Sequence, residues 1–225
     1  MDQFGNVRFA YKRYSVEEVG LDKRGDGAYP RKIRPNQPID VVHNRDAGGP
    51  AASVGNWGMN TGRFDWNARD DRLAESPLWS AMWGKAASHV VIPVSHGYEM
   101  TKRHGDRRWS CVVREDNPDE PWWVPGLGRI QNGKFRTEWH VTMVTVEAGP
   151  VFDPIHDTPR EIVALRDWKE CQTWLAGDDA ACRKLLRPAT TDLLGAYRVH
   201  DDVLRDAFPA AKAPLPWRPP GLAAF

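Results

Sequence analysis

Residues Trp139–Glu147 read WHVTMVTVE. Val141 and Met143 alternate with Thr142 among β-branched neighbours, so the run predicts a strand, and its length suits the centre of a sheet. Upstream, Pro38–His43 (PIDVVH), Ser53–Trp57, Val90–Val94, Trp109–Arg114 and Trp122–Ile130 continue the β pattern. A Gly-Gly-Pro turn separates the first two, and Pro93 is expected to break the third. Helices are expected toward both ends. Ser15 with Glu18 makes a capping box for Val16–Leu21, and Ser76-Pro77 opens a helix over about Pro77–Ala87. Thr158-Pro159-Arg160-Glu161 is another capping box, followed at helical spacing by Ile162, Leu165, Trp168, Cys171 and Leu175 and ended by Gly177. A further helix is expected over Asp179–Arg187. With β segments in the middle, helices at both ends and no βαβ repeat, the chain reads as a single α+β domain over residues 1–209. A Pro-rich tail, 210–225, contains PLPWRPP and is expected to be extended or disordered.

Composition narrows the function classes. Of 225 residues, 41% are hydrophobic and 27% charged, which describes a globular chain rather than a disordered one. The net charge of +1 gives no global field toward nucleic acid, although Arg31, Lys32 and Arg34 cluster, as do Lys102, Arg103, Arg107 and Arg108. Eleven Trp are either core filling or a stacking surface. Cys111, Cys171 and Cys182 lack the number and spacing of a disulfide framework or a zinc site, and no metal or other cofactor is expected. MDQFGNVRFA has no signal-peptide apolar region and no segment is apolar enough to span a membrane, so a cytoplasmic location is expected.

Three polar positions stand out. Asp153–Pro159 (DPIHDTP) sets His156 beside an acid between two prolines, in the connection after the long strand. An imidazole there could carry protons or simply fill a gap. Glu99, in VVIPVSHGYEM, is flanked by Tyr98 and Met100; partial desolvation would lift its pKa into acid–base range, whereas an exposed Glu would be ordinary. In Asn67-Ala68-Arg69 the amide offers donor and acceptor, and the guanidinium can fork onto phosphate.

The order of these pieces resembles the SRAP (SOS response-associated peptidase) family of abasic-site processing proteins. The matching segments are Arg8-Phe9-Ala10, Pro35-Asn36-Gln37, Trp57-Gly58-Met59, Asn67-Ala68-Arg69, Val91-Ile92-Pro93 with Gly97-Tyr98-Glu99, Gly126-Leu127, Thr145-Val146-Glu147-Ala148, Pro154–Pro159, Trp174-Leu175, and Leu186-Arg187-Pro188-Ala189 followed by Tyr197. The resemblance implies mixed and antiparallel sheets forming a barrel-like core flanked by helices. It implies single-stranded or junction DNA with abasic sites as the partner, a nucleoid-associated place in the cell and a monomer. It implies Glu99 and His156 as proton carriers, Asn67 and Arg69 on the sugar and phosphates, and Arg8 and Thr145 at the site. Phe64 or Trp66 would stack on a base, and Arg103 belongs to a basic cluster that would meet phosphate. Met100 stands where the family usually has Trp.

One departure matters. The family begins Met-Cys-Gly-Arg-Phe, and its terminal Cys closes a thiazolidine ring on the sugar aldehyde. Here Asn6 and Val7 occupy the places before Arg8-Phe9, four extra residues precede them, and Asp2 disfavours removal of Met1. The usual crosslink, and self-cleavage of the N-terminus, are not expected. Three readings follow: an abasic-site lyase using Glu/His acid–base chemistry with an amine such as that of Met1, a non-catalytic DNA-binding module, or the fold applied to another substrate.

Overall fold

The computed structural model describes residues 7–9, 31–33, 38–45, 49–60, 64–94, 96–102, 105, 108–117, 121–132 and 137–199. The expected helix Val16–Leu21, Arg34, Arg103, Arg107 and the tail 210–225 lie outside these residues. The strands are β1 (Val7–Phe9), β2 (Arg31–Ile33), β3 (Pro38–Arg45), β4 (Gly49–Trp57), β5 (Met59–Asn60), β6 (Phe64–Asp65) and β7 (Asn67–Arg69). They continue with β8 (His89–Val94), β9 (His96–Thr101), β10 (Arg108–Arg114), β11 (Trp122–Asn132), β12 (Thr137–Glu147), β13 (Arg160–Ile162) and β14 (Leu194–Val199). Helices span Pro77–Ser80, Trp168–Ala176 and Asp179–Leu185.

β12 is the hub. It pairs antiparallel with β11 and β13 and parallel with β4 and β7. Its larger sheet runs β11-β8-β3-β4-β12-β13, and the extra β11–β12 pairing brings the first five strands round into a ring. The ring is only partly closed. β3 meets β8 at Val42↔Val91 and His43↔Val90, and β12 meets β4 at His140↔Asn56 and Val141↔Trp57. A second sheet has the order β14-β10-β9-β1-β2.

Strand alternation sorts side chains between two main cores. Val90, Ile92, Val141 and Met143 join Ile39, Trp57, Trp122 and Val112 in one cluster, which the second sheet helps to cover. Val91, Val144 and Val146 face the other way, against Trp174, Leu175, Cys182 and Leu185 of the helices. β12 is therefore buried on both faces, which explains its apolar character. Trp57, Trp79, Trp83, Trp109, Trp122, Trp123 and Trp174 are all buried, so most tryptophans serve the core.

Several local expectations change. Arg160–Ile162 is strand, not helix: Ile162 pairs with Thr145, and the buried Glu161 carboxylate accepts the N–H groups of Gly149 (2.6 Å) and Ala189 (2.5 Å) instead of capping its own segment. The helix begins only at Trp168, capped by Asp167 accepting from the Glu170 N–H, and ends at Gly177 with φ +72°. The helix at Pro77 stops at Ser80; the Ser76 side chain makes no cap bond, and Gly84 at φ +72° turns the chain. The later helix runs to Leu185 rather than Arg187. Pro93 lies within β8, opposite Trp123 of β11, past the point where β3 pairs on the other edge, so its missing N–H interrupts no ladder. No helix among the described residues is long and apolar enough to cross a membrane.

Candidate acid–base site

Glu99 sits in the middle of β9, between β10 and β1. Tyr98 and Met100 point to a small cluster on the outer face with Trp109 and Cys111. Strand alternation turns Glu99 inward, on the face it shares with Gly97 and with Ser110, its partner on β10. The carboxyl is 3% exposed, and burial pushes its pKa up to about 8, so it carries a proton at neutral pH.

His156 meets it from the loop between β12 and β13. Its Nε2 stands 3.5 Å from Glu99 Oε2, and the imidazole is 1% exposed. The other ring nitrogen, Nδ1, lies 2.8 Å from the Arg160 carbonyl. A carbonyl only accepts, so Nδ1 carries a hydrogen, and in the neutral form of the ring Nε2 is the nitrogen left to act as a base toward Glu99. The Thr158 hydroxyl is also 3.1 Å from Nδ1. A protonated carboxyl 3.5 Å from an imidazole nitrogen places an acid beside a base.

Asp157 holds the loop in place. It accepts from the Thr101 hydroxyl (2.5 Å) and the Lys102 N–H (2.9 Å), at the end of the strand that bears Glu99. Arg160 fixes the other side. Its guanidinium donates to Asp70 (2.6 Å) and to the carbonyl of Thr145, while its own carbonyl receives His156. Asp70 directly follows β7, so one residue links the strand bearing Asn67 and Arg69 to the Glu99–His156 pair. Asp157, Arg160 and Asp70 were not singled out as site residues in the sequence; the acid next to His156 in DPIHDTP was the one available signal.

The remaining candidates are spread more widely. Asn67 lies opposite Met143 on β12; its Oδ1 is buried without a hydrogen-bond partner, and it makes no hydrogen bond to Glu99 or His156 among the described residues. Arg69 is exposed and forks onto Asp71 at 3.0 and 2.6 Å, which raises its pKa and leaves phosphate to compete with that carboxylate. Thr145 is buried on β12 between Arg69 and Ile162. Trp66 packs against the main core, and its carbonyl receives the Trp57 indole N–H, so it is at least partly a core residue. Phe64 is in β6 and Arg8 in β1, whose side chains lie outside the described set, as does Arg103. β1 runs antiparallel to β9 with Arg8 opposite His96, so its Val7 end is the end toward Glu99.

The cysteines are all buried and free. Burial raises the thiol pKa of Cys182 to about 12 and that of Cys171 well above its ordinary value, so neither supplies a thiolate. Among the described residues no group of three or more His, Cys, Asp or Glu side chains could hold a metal ion. An open cleft of 430 Å³ between Val151, Ile155 and Tyr197 includes neither Glu99 nor His156.

Comparison with known proteins bears on this arrangement. No curated protein matches the chain. Several solved structures share the fold. One from Bordetella bronchiseptica has TM-score 0.71 at 20% identity, covering 86% of this chain and 99% of its own. One from Bacteroides thetaiotaomicron has TM-score 0.69 at 17% identity, covering 92% and 95%. A phage-related protein from Bordetella bronchiseptica has TM-score 0.68 at 19% identity, covering 88% and 94%. A family model described as SOS response associated peptidase matches residues 12–205, a span that begins downstream of Arg8. The chain therefore belongs to the SOS response associated peptidase (SRAP) family.

Proposed function

We propose that this protein binds single-stranded or junction DNA carrying abasic sites and processes the sugar aldehyde by acid–base chemistry, without a cysteine crosslink. The observation that carries the reading is the buried Glu99–His156 pair, 3.5 Å apart, in which burial raises the pKa of the carboxyl. An abasic sugar in its open form offers an aldehyde at C1′ and an acidic hydrogen at C2′. An amine adds to the aldehyde, and Glu99 gives a proton to the departing hydroxyl, so an imine forms and water leaves. His156 takes the C2′ hydrogen, the 3′-phosphate departs with the bonding electrons, and hydrolysis of the imine frees the amine. The α-amine of Met1 is the proposed nucleophile, because its ordinary pKa near ~8 leaves part of it neutral and β1 is oriented with its N-terminal end toward Glu99.

Single-stranded DNA with one abasic site tests this, incubated with and without borohydride. The expected result is strand scission plus a borohydride-trapped adduct, both lost in Glu99→Gln and His156→Ala while DNA binding remains. Binding without scission or adduct would reduce the protein to a lesion-shielding module. No preference for abasic or single-stranded DNA would remove the DNA reading altogether.

A further inference from the structure

Three buried polar atoms on Glu99 and on two residues packed along its strand have no hydrogen-bond partner among the described residues: Glu99 Oε2, the hydroxyl of Ser110 and the indole Nε1 of Trp122. Ser110 is 1% exposed and Trp122 1% exposed. Ser110 lies directly opposite Glu99 in the β9–β10 register, on the same face, which sets their Cβ atoms about 5 Å apart. The Trp122 indole lies over Gly97, two residues along that face, with Cζ2 3.3 Å from the position a Cβ at Gly97 would take. The glycine at 97 lets the indole sit close against the strand that bears Glu99, where a Cβ would press on it. An indole N–H only donates, a hydroxyl donates or accepts, and a carboxyl oxygen accepts. Groups of this kind, buried and unpaired, are the usual partners of an internal water, which makes about three hydrogen bonds.

We infer that Ser110, Trp122 and Glu99 bind one internal water, and that Ser110 is a positioning residue which acts on Glu99 through that water. The water accepts from the indole N–H and the Ser110 hydroxyl and donates to Glu99 Oε2. It holds the carboxyl in the orientation that faces His156 and stabilises the carboxylate once the proton has moved. Among the described residues of the surrounding elements, the titratable and charged groups next to this strand include His156 and Asp157 of the loop and Arg108 of β10, opposite Thr101. The inference deepens the acid–base reading of this pair, but it is read out in the protein alone, without DNA, so the two can fail separately.

The experiment compares Ser110→Thr with Ser110→Val, which have the same shape and differ by one hydroxyl. A crystal structure that shows individual waters is expected to place one within hydrogen-bond distance of the Ser110 hydroxyl, Trp122 Nε1 and Glu99 Oε2 in the native protein and in Ser110→Thr, and none there in Ser110→Val. Carbon-13 NMR titration of the Glu99 carboxyl is expected to give similar midpoints for the native protein and Ser110→Thr, with Ser110→Val higher by about one pH unit, because the carboxylate loses a donor. If Ser110→Val does not fold, Ser110→Ala serves in its place, with the water depleted and the midpoint raised. A dry niche in the native protein overturns the inference, as do equal midpoints for a hydroxyl-bearing and a hydroxyl-free variant.

Discussion

Glu99 holds its proton because burial keeps bulk solvent from the carboxylate it would become. That has a measurable consequence for folding. The folded pKa is about 8 and the ordinary value 4.5, so the folded chain keeps a proton that the unfolded chain releases. This contribution to stability is complete below pH 4.5 and is lost as pH rises toward about 8. Glu99→Gln is expected to flatten that decline, as measured by urea unfolding across the pH range; an unchanged slope would mean the carboxyl is open to bulk solvent. His89 works in the opposite direction. Burial lowers its pKa from 6.5 to about 4, although its Nδ1 donates to the Trp174 carbonyl at 2.8 Å. The unfolded chain therefore takes up a proton that the folded chain refuses, and stability is expected to fall as pH drops from 6.5 to about 4, less steeply in His89→Gln. Local pattern singled out Glu99 and His156 as polar residues in unusual settings, and only the family order of the motifs suggested that they belong together. Nothing in VSHGYEM says that residue 99 faces inward; only the β9–β10 register decides it.

Two elements bring the acid and the base together: β9 and the loop after β12. Asp157 ties them through Thr101 and Lys102. Asp157→Ala is expected to slow strand scission by ~10- to 100-fold, because a displaced imidazole costs rate without costing the core, while the melting temperature moves little. A large loss of melting temperature would instead make Asp157 a fold residue. β12 itself tolerates no extra bulk at its partner strand. A Cβ on Gly126 would sit 2.4 Å from the Thr142 carbonyl and 2.9 Å from Val90 Cγ2. Gly126→Ala is expected to destabilise by about 1–3 kcal/mol, seen as a lower urea midpoint with an unchanged slope. The strands were legible in the sequence because β-branched runs such as WHVTMVTVE are local signals. The error at Arg160 is of another kind. Thr158-Pro159-Arg160-Glu161 carries the residues of a helix start, but Thr145 offers a backbone ladder and Gly149 and Ala189 offer buried N–H groups to Glu161. Long-range pairing outweighed local propensity, and that is why the residue linking the two halves of the site was overlooked.

A molecule with net charge +1 has no overall attraction for DNA, so on the proposed reading binding rests on a local basic surface. Affinity for single-stranded DNA is expected to fall steeply with salt, by about −0.7 in log–log slope for each phosphate contacted. Arg69→Gln should reduce that slope by about one contact, and a flat response would remove phosphate binding. The fold supplies the rest: a partly closed ring of strands whose interior cluster is covered by a second sheet, with Glu99 on the face of that sheet turned toward the ring. The pH dependence of single-turnover scission of abasic single-stranded DNA tests the acid–base claim most directly. The predicted result is a bell-shaped rate profile, rising at low pH as the amine loses its proton and falling above about 8 as Glu99 gives up its own, and a rate near background at every pH in Glu99→Gln. Scission that keeps its native rate and pH profile in Glu99→Gln, or no scission by the native protein at any pH, would contradict the account.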